Sequence, residues 1–233
     1  MIDILVATID ETRVPGGLEH IGQPARLLVD TRKGWADASN ALLDQAEHDA
    51  LFLDDDATLT PTTLSLLAQY YDKADVFGFT LIRPQGGWND GWQVASAGMG
   101  ADREGRLSHG SDVRDVMTPS YVAHVTTSAI YIKHEVIRAG VRFPVWPGAH
   151  HEDVAFTFDV WLHGFKVAYL PGLVEHPLTG AGAGVTKSGQ AGFAEQRTVN
   201  ARHLEAWTRE KNIIGAIAAG RIPLGRRPID GTE

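Results

Sequence analysis

Four apolar residues, Ala50-Leu51-Phe52-Leu53, run directly into three aspartates, Asp54-Asp55-Asp56. A short apolar run bounded by charge reads as a buried strand. Three adjacent like charges at its exit repel one another and gain nothing from a core, so they belong at an open edge of the sheet that the strand joins. Hard divalent cations prefer carboxylate oxygens. This strand exit is therefore the first place to look for a metal and for chemistry. The plain alternative is a solvated acidic loop, because acid runs are common on surfaces.

The segments on either side set the architecture. Ile4 to Ala7 reads as a first strand, followed by a Gly/Pro loop at Pro15-Gly16-Gly17. Ala25 to Val29 reads as a second strand ending at Asp30. Residues 35–47 read as a helix with Ala38, Leu42 and Ala46 on one face. Thr60-Pro61 is a helix start, a hydroxyl cap followed by a first-turn proline. Leu64, Leu67, Ala68 and Tyr71 continue that helix, and Val76 to Leu81 reads as the next strand. The alternation predicts an α/β fold: one Rossmann-like domain with a mostly parallel central sheet and helices on both faces. Ligands of such sheets bind beyond the C-terminal strand ends, where Asp30 and Asp54 to Asp56 both fall.

The rest of the chain is less regular. Residues 83–126 are rich in glycine turns and lack a helical period, so they read as strands and loops added to the sheet. A strand is expected over 127–132, a short helix over 134–139 closed by Gly140, and a helix over 151–163 with Val154, Phe158, Trp161 and Leu162 inward. A final strand is expected over 167–170. Residues 179–192 are glycine-rich with no apolar period and read as a mobile loop, and 193–219 as mostly helical. The expected organisation is a catalytic unit over 1–192, with a nucleotide half (1–82) and an acceptor half (83–178), and a C-terminal helix and tail (193–233) packed on it.

Composition excludes several classes. A chain of 233 residues is long enough for a full core. It has no eighteen-residue apolar run, hence no expected membrane span, and no signal-peptide pattern at its start. Zero cysteines exclude disulfides and thiolate metal sites, and a cytoplasmic location is expected. The net charge of −8 argues against a generic nucleic-acid surface, although Arg221, Arg226 and Arg227 form a local basic cluster.

Further features bear on chemistry. Glu152-Asp153 opens a helix, where acids also serve simply to stabilise the helix dipole. His176, in Val174-Glu175-His176-Pro177, follows the last strand; a lone histidine there is more often structural than a ligand. Trp88 and Trp92 bracket a turn, as a small core or as a platform on which a sugar or base stacks.

In order along the chain, these features resemble the GT-A glycosyltransferases, family-2-like members in particular. Leu53-Asp54-Asp55-Asp56 after a βαβα start resembles their DxD motif, and Asp37-Ala38-Ser39-Asn40-Ala41 resembles the segment before it. Ser128 to Ile132, Glu152-Asp153, Gly164-Phe165-Lys166-Val167 and His176 follow in the order of their acceptor half. The resemblance covers roughly residues 2–178. It implies a metal-dependent enzyme, with Mn2+ or Mg2+ held by Asp56, Asp54 and His176. It further implies that Asp30, Asp54, Asp55 and the Ala7-Thr8 backbone bind a UDP- or GDP-sugar donor. Asp153 is implied as the base of an inverting reaction, with Glu152 orienting the acceptor hydroxyl and Trp88 and Trp92 on the acceptor side. The acceptor itself is open; DNA is disfavoured by net charge. Ser39 stands where the family usually has an arginine, and His150-His151 before Glu152 is unusual, with either able to reach the metal or the acceptor.

Two other readings stay open. Leu53-Asp54-Asp55-Asp56-Ala57-Thr58 also matches the first motif of haloacid-dehalogenase-like phosphatases, with Asp54 as nucleophile and magnesium as cofactor. That motif usually lies on the first strand, however, and the later acidic motif that completes its magnesium site is missing. A non-catalytic sugar- or nucleotide-binding module uses the tryptophans but has no need of the acidic triplet.

The expectation for residues 179–192 has a direct check. Limited proteolysis at Lys187 should be fast in the protein alone and slow with manganese and a nucleoside diphosphate. Equal rates in both states argue against a closing loop.

Overall fold

The computed structural model describes residues 1–8, 10, 12–31, 34–84, 92–108, 116–147, 151–176 and 193–229. The expected loop at 179–192 and Trp88 lie outside these residues, and of Trp92 only the backbone is described.

The core of the fold is a ten-stranded mixed sheet. Its long strands are β1 (Ile2–Ala7), β2 (Ala25–Asp30), β3 (Ala50–Leu53), β5 (Val76–Pro84), β10 (Ala129–Ile132) and β11 (Val167–Glu175). β1 pairs in parallel with β2 and β3, and β5 in parallel with β11. β10 is inserted between β3 and β5 and runs antiparallel to both. Five long strands therefore point one way and β10 points back, so the sheet is α/β and mostly parallel in direction. The sequence identifies β10 as a strand but carries no sign of its direction, because a buried strand looks the same whichever way it runs. Short strands complete the sheet: β4 (Thr58–Leu59), β6 (Trp92–Ser96), β9 (Ser120–Tyr121) and β12 (Arg227–Pro228). β7 (Gly100–Ala101) and β8 (Leu107–Ser108) form a separate ribbon.

Period-2 alternation sorts the strand residues onto two faces. Leu5, Phe52, Val76, Ile130 and Ile132 face one core cluster, together with Leu42 and Leu43 of α1 (Trp35–Gln45), Val136 of α3 (His134–Arg138) and Phe156 of α4 (Glu152–Leu162). Ile4, Val6, Leu51, Leu53, Phe77, Phe79 and Tyr131 face the other, together with Leu67 and Tyr70 of α2 (Pro61–Tyr70). Each such fully buried side chain contributes about 1.5–3 kcal/mol of transfer free energy. Helix α4 differs from the expectation of a single inward face. Phe156 and Val160 pack toward the sheet, while Val154 and Phe158 pack outward against Ile213, Ala216 and Ile217 of α6 (Ile213–Ala218). The long α5 (Phe193–Glu210) leads into α6.

Two local details depart from the sequence reading. Thr60 precedes Pro61 as expected, but its hydroxyl does not cap α2; it donates to Leu173 O at 2.7 Å. β11 also runs past residue 170, where the expected strand stops. Pro171-Gly172 sits in a register shift between Leu170 and Leu173. A bulge is where a strand tolerates proline, and a Cβ on Gly172 would lie 2.7 Å from Thr63 Cα. The strand then resumes to Glu175 and delivers His176 to the sheet edge.

At the opposite, N-terminal edge, a buried carboxylate, Asp3, and a half-buried one, Asp49, lock the strands. Asp3 accepts from Arg26 Nε and Nη2 (2.8 and 3.0 Å) and from the backbone N–H groups of Glu47 and His48 (2.7 and 3.0 Å). Asp49 accepts from Tyr71 and Tyr131 hydroxyls and from His134 N. Burial alone would raise the Asp3 pKa, but the Arg26 and backbone hydrogen bonds outweigh it and hold the carboxyl below its ordinary value. A depressed folded pKa contributes stability that is present above the unfolded carboxylate range and lost as pH falls through the folded value. Asp3→Asn should therefore destabilise the protein by about 1–3 kcal/mol at neutral pH. It should also reduce the fall in stability on acidification, as read by chemical denaturation at pH 7 and in the acid range.

Candidate active site

The C-terminal ends of β1, β2 and β3 and the end of β11 converge on one edge. Asp54 leaves β3 with its N–H bound to Ser128 O (3.0 Å) and its C=O accepting from Ala57 N (3.0 Å), a tight turn that holds the triplet. Loop residue Gly16 bridges Thr58, and Gly17, at φ 73, packs where a Cβ would lie 2.2 Å from Leu59 O. Only glycine fits there, so the loop after β1 is pinned beside the aspartates.

The aspartates separate into two groups. His176 Nε2 lies 3.0 Å from Asp54 Oδ2 and 3.2 Å from Asp56 Oδ1. One potential ligand atom from each of the three residues lies within 4.8 Å of the others. Asp55 turns to a different set: its carboxylate accepts from the Thr8 hydroxyl and pairs with Arg13 at 3.3 Å. Thr8 N in turn donates to Asp30 O (3.0 Å), and Ala7 pairs with Asp30 across β1 and β2. Ala7, Thr8, Asp30 and Asp55 are thus connected in one hydrogen-bonded set beside the Asp54-Asp56-His176 cluster.

Charge at the cluster is out of balance. Burial raises the Asp56 pKa; His176 opposes this, and Asp54 and Asp55 add to it. For His176, burial disfavours the imidazolium, but the hydrogen bond and charge of Asp54, with Asp56, outweigh it and push the pKa up. Two carboxylates around one imidazole make a site that favours positive charge.

A cavity of about 540 Å³ opens from this edge. Asp54 lines it on the strand side and Glu152 and Asp153 on the α4 side, with Trp35, His124, Thr127, Ser128, His151 and Arg197 around the wall. Glu152 is buried, and Asp153, half-buried, accepts from Val154 N at 2.9 Å. His151 caps α4 in the left-handed region at φ 69, and burial lowers its pKa. His151 reaches this cavity but is not among the clustered potential ligands, and His150 lies outside the described residues. Ser39, in the place of the family's arginine, is fully buried and donates to Trp35 O at 2.6 Å.

Several residues of the cavity or of the neighbouring Asp55 pair do not stand out in the sequence. Trp35 opens α1 just beyond the β2 end, packed edge-on to Phe143; an aromatic at the first turn after a strand end is the signal that marks it. Arg13, His124 and Arg197 carry no such signal, because nothing local in their segments distinguishes them from surface or core residues.

No protein-family model and no curated protein sequence matches the chain. Solved structures are similar in fold. TarS of S. aureus in complex with UDP-GlcNAc superposes with a TM-score of 0.55 at 16% identity, over 84% of this chain and 64% of TarS residues 1–349. The same protein with UDP gives 0.52 at 14% identity, over 76% and 60%. GalNAc-T7 with UDP, GalNAc and Mn2+ gives 0.49 at 13% identity, over 76% and 44%. The chain spans less than two thirds of each of these chains. The TarS likenesses show the fold, an α/β sheet of the GT-A type. Among the described residues no helix is long and apolar enough to cross a membrane.

The cluster geometry makes a prediction about metal. Manganese should bind the nucleotide-free protein. His176→Ala should weaken that binding by at least about 10-fold, the loss typical even for a partner that only orients a ligand, with little loss of metal-free melting temperature. Affinity should also fall as pH falls, since an imidazolium cannot ligate. Isothermal titration at two pH values reads both effects; a drop in apo stability with unchanged metal affinity marks His176 as a core residue instead.

Proposed function

We propose that this chain is a metal-dependent glycosyltransferase. It moves a sugar from a UDP- or GDP-linked donor to an acceptor hydroxyl, with inversion and with Asp153 as the base. The observation that carries this reading is that Asp54, of the cation cluster, and Glu152-Asp153, at a helix start, line one cavity. A leaving diphosphate needs positive charge, and an attacking hydroxyl needs a base; the cavity lining has a candidate for each. The shared fold with a protein bound to UDP-GlcNAc supports a uridine donor.

Asp54, Asp56 and His176 fit a divalent cation: two hard oxygen donors and one imidazole whose ligand atoms lie close together. Imidazole in the set favours manganese over magnesium, which prefers an all-oxygen shell. When bound, the ion supplies Lewis-acid stabilisation of charge on the departing diphosphate. The surface of Ala7, Thr8, Asp30 and Asp55 takes the nucleoside, with Thr8 and Arg13 holding the Asp55 carboxylate in place. Glu152 orients the acceptor hydroxyl. Asp153 takes its proton as the oxygen attacks the anomeric carbon and the bond to the diphosphate breaks. A net charge of −8 disfavours a DNA acceptor.

Two measurements test this. A thermal-shift panel should show stabilisation by a nucleoside diphosphate only with manganese present, about 2.7 kcal/mol at 100 times Kd, abolished in Asp56→Ala. Hydrolysis of a phosphomonoester without any nucleotide response points to the phosphatase reading instead. Asp153→Asn should lower sugar transfer by about 10²- to 10⁴-fold with nucleotide affinity and melting temperature near wild type. Near-normal transfer, or a product that keeps the donor's anomeric configuration by NMR, overturns the inverting-base assignment.

A further inference from the structure

Trp35 lines the cavity together with Asp54, Glu152 and Asp153, and the transfer scheme gives it no role. Gly34, at φ 98, turns the chain into α1, so Trp35 is the first residue of that helix. The Trp35 carbonyl accepts from the Ser39 hydroxyl at 2.6 Å. Further along α1, the Asn40 side chain exchanges two hydrogen bonds with the Phe143 backbone. It donates to Phe143 O at 2.8 Å and accepts from Phe143 N at 2.9 Å. The helix and the Phe143 segment are thereby clamped together, with the indole against the Phe143 ring.

Ring contacts tie the indole to both chemical parts of the site. It meets Phe52 with centroids 5.8 Å apart, at 55°, and Phe52 lies on β3, the strand that runs into Asp54. It meets Phe143 at 4.9 Å and 72°. Phe143 in turn stacks on Phe156 at 4.2 Å and 23°, and Phe156 belongs to α4, the helix that opens with Glu152 and Asp153. The indole is therefore packed on the strand that carries a cluster acid and, through one further ring, on the helix that carries the base. It is half-buried. Both rings that touch it are tilted, and no ring among the described residues stacks flat on it.

We propose that Trp35 is the platform on which the transferred sugar of the donor stacks. This rests on the transfer reaction above. Ala7, Thr8, Asp30 and Asp55, the residues given to the nucleoside, are not among those that line the cavity. Asp54 of the cation cluster lines it, and so does Asp153, which takes the proton of the attacking hydroxyl. The part of the donor that must come near both is the sugar ring, whose anomeric carbon joins the diphosphate and receives the attack. A pyranose carries a face of C–H bonds and a rim of hydroxyls. The C–H face suits an aromatic plane, and Trp35 is the one tryptophan of that lining. The hydroxyl rim suits the polar groups of the same lining, Thr127, Ser128 and His151. An indole already fixed by Phe52 and Phe143 loses little freedom when a sugar docks on it. It also holds the anomeric carbon in one place relative to the base.

Binding measurements test the platform without an acceptor. With manganese present, calorimetry compares UDP with UDP-glucose, UDP-galactose and UDP-N-acetylglucosamine, and GDP with GDP-mannose. Trp35→Leu should weaken the tightest nucleotide-sugar by about tenfold, the scale of one aromatic stack, and leave the matching diphosphate unchanged. Trp35→Phe, which keeps a ring against Phe52 and Phe143, should recover most of that loss. A tryptophan that serves packing alone predicts equal changes for diphosphate and nucleotide-sugar, in step with any fall in melting temperature. That result, or wild-type affinity in Trp35→Leu, overturns the platform. Fluorine NMR of fluorotryptophan-labelled protein gives a second readout, with the Trp35 signal identified by its absence in Trp35→Phe. The signal should shift on adding the nucleotide-sugar and much less on adding the diphosphate; equal shifts overturn the assignment to the sugar. Failure of the wild type to bind any of these nucleotides overturns the transfer reaction and the platform with it. Nucleotide binding that is indifferent to Trp35 overturns the platform alone.

Discussion

The structure is organised around an imbalance of charge at one edge of the sheet. Asp54 and Asp56 are held around a single buried imidazole, with Arg13 paired to the neighbouring Asp55. Burial and mutual repulsion raise the Asp56 pKa, and the same acids raise that of His176. Such an arrangement is costly unless a cation relieves it. The fold supports it through rigid parts: the turn at Asp54 is tied to Ser128 and Ala57, and His176 N is tied to Ile82 O at 2.8 Å. His176 reaches the cluster only because β11 bulges at Pro171-Gly172 and then resumes pairing with β5.

The other edge shows what the same residue type does when it is satisfied. Asp3 and Asp49 are acids at strand starts, as buried as those of the cluster or more so, yet both are surrounded by donors and both have depressed pKa values. Asp3 joins β1, β2 and the turn into β3; Asp49 joins β3, α3 and Tyr71 beyond α2. Asp3 and Asp49, each ringed by donors, hold strands together, whereas Asp54 and Asp56 converge on one imidazole. The difference between them lies in partner supply rather than in sequence composition.

That distinction explains what the sequence made legible. The first three strands with the helix between the second and third, the helix at Thr60-Pro61 and the acidic triplet at the β3 exit follow from local patterning. All are present, although among the described residues no helix longer than one 3-10 turn joins β1 to β2. Glu152-Asp153 was findable as acids at a helix start, although the shared cavity with Asp54 depends on tertiary structure. The antiparallel direction of β10, the bulge that extends β11, and the second packed face of α4 are long-range features with no local period. Thr60 illustrates the limit well: a residue with capping chemistry beside a first-turn proline gives its hydroxyl to Leu173 O instead, because a neighbouring strand offers a better-placed acceptor. His124 was invisible for the same reason, since only its place on the cavity wall distinguishes it from an ordinary core histidine.

The two sides of the cavity are built differently, and the difference suits a transfer reaction. Asp153 stands on a helix packed from both sides, by Phe156 and Val160 toward the sheet and by Val154 and Phe158 toward α6. A helix wedged between two apolar layers cannot rotate without opening both, so the carboxylate stays on a fixed scaffold. The cation cluster is instead assembled from two chain ends, a turn after β3 and the residue after β11, which meet only when β5 has paired with both β10 and β11. The cluster is therefore the part of the site most sensitive to the sheet's completeness, and the Asp153 carboxylate the part least sensitive to it. A perturbation of sheet pairing should disperse Asp54, Asp56 and His176 before it displaces Asp153. Arg226 sits where this separation can be probed, because it donates to the carbonyls of Ala97 and Gly98 and lies over the Tyr169 ring of β11 at 4.5 Å. That contact braces β11 far along the chain from both walls of the site, so its loss would reach the cluster through His176 while leaving the α4 layers packed.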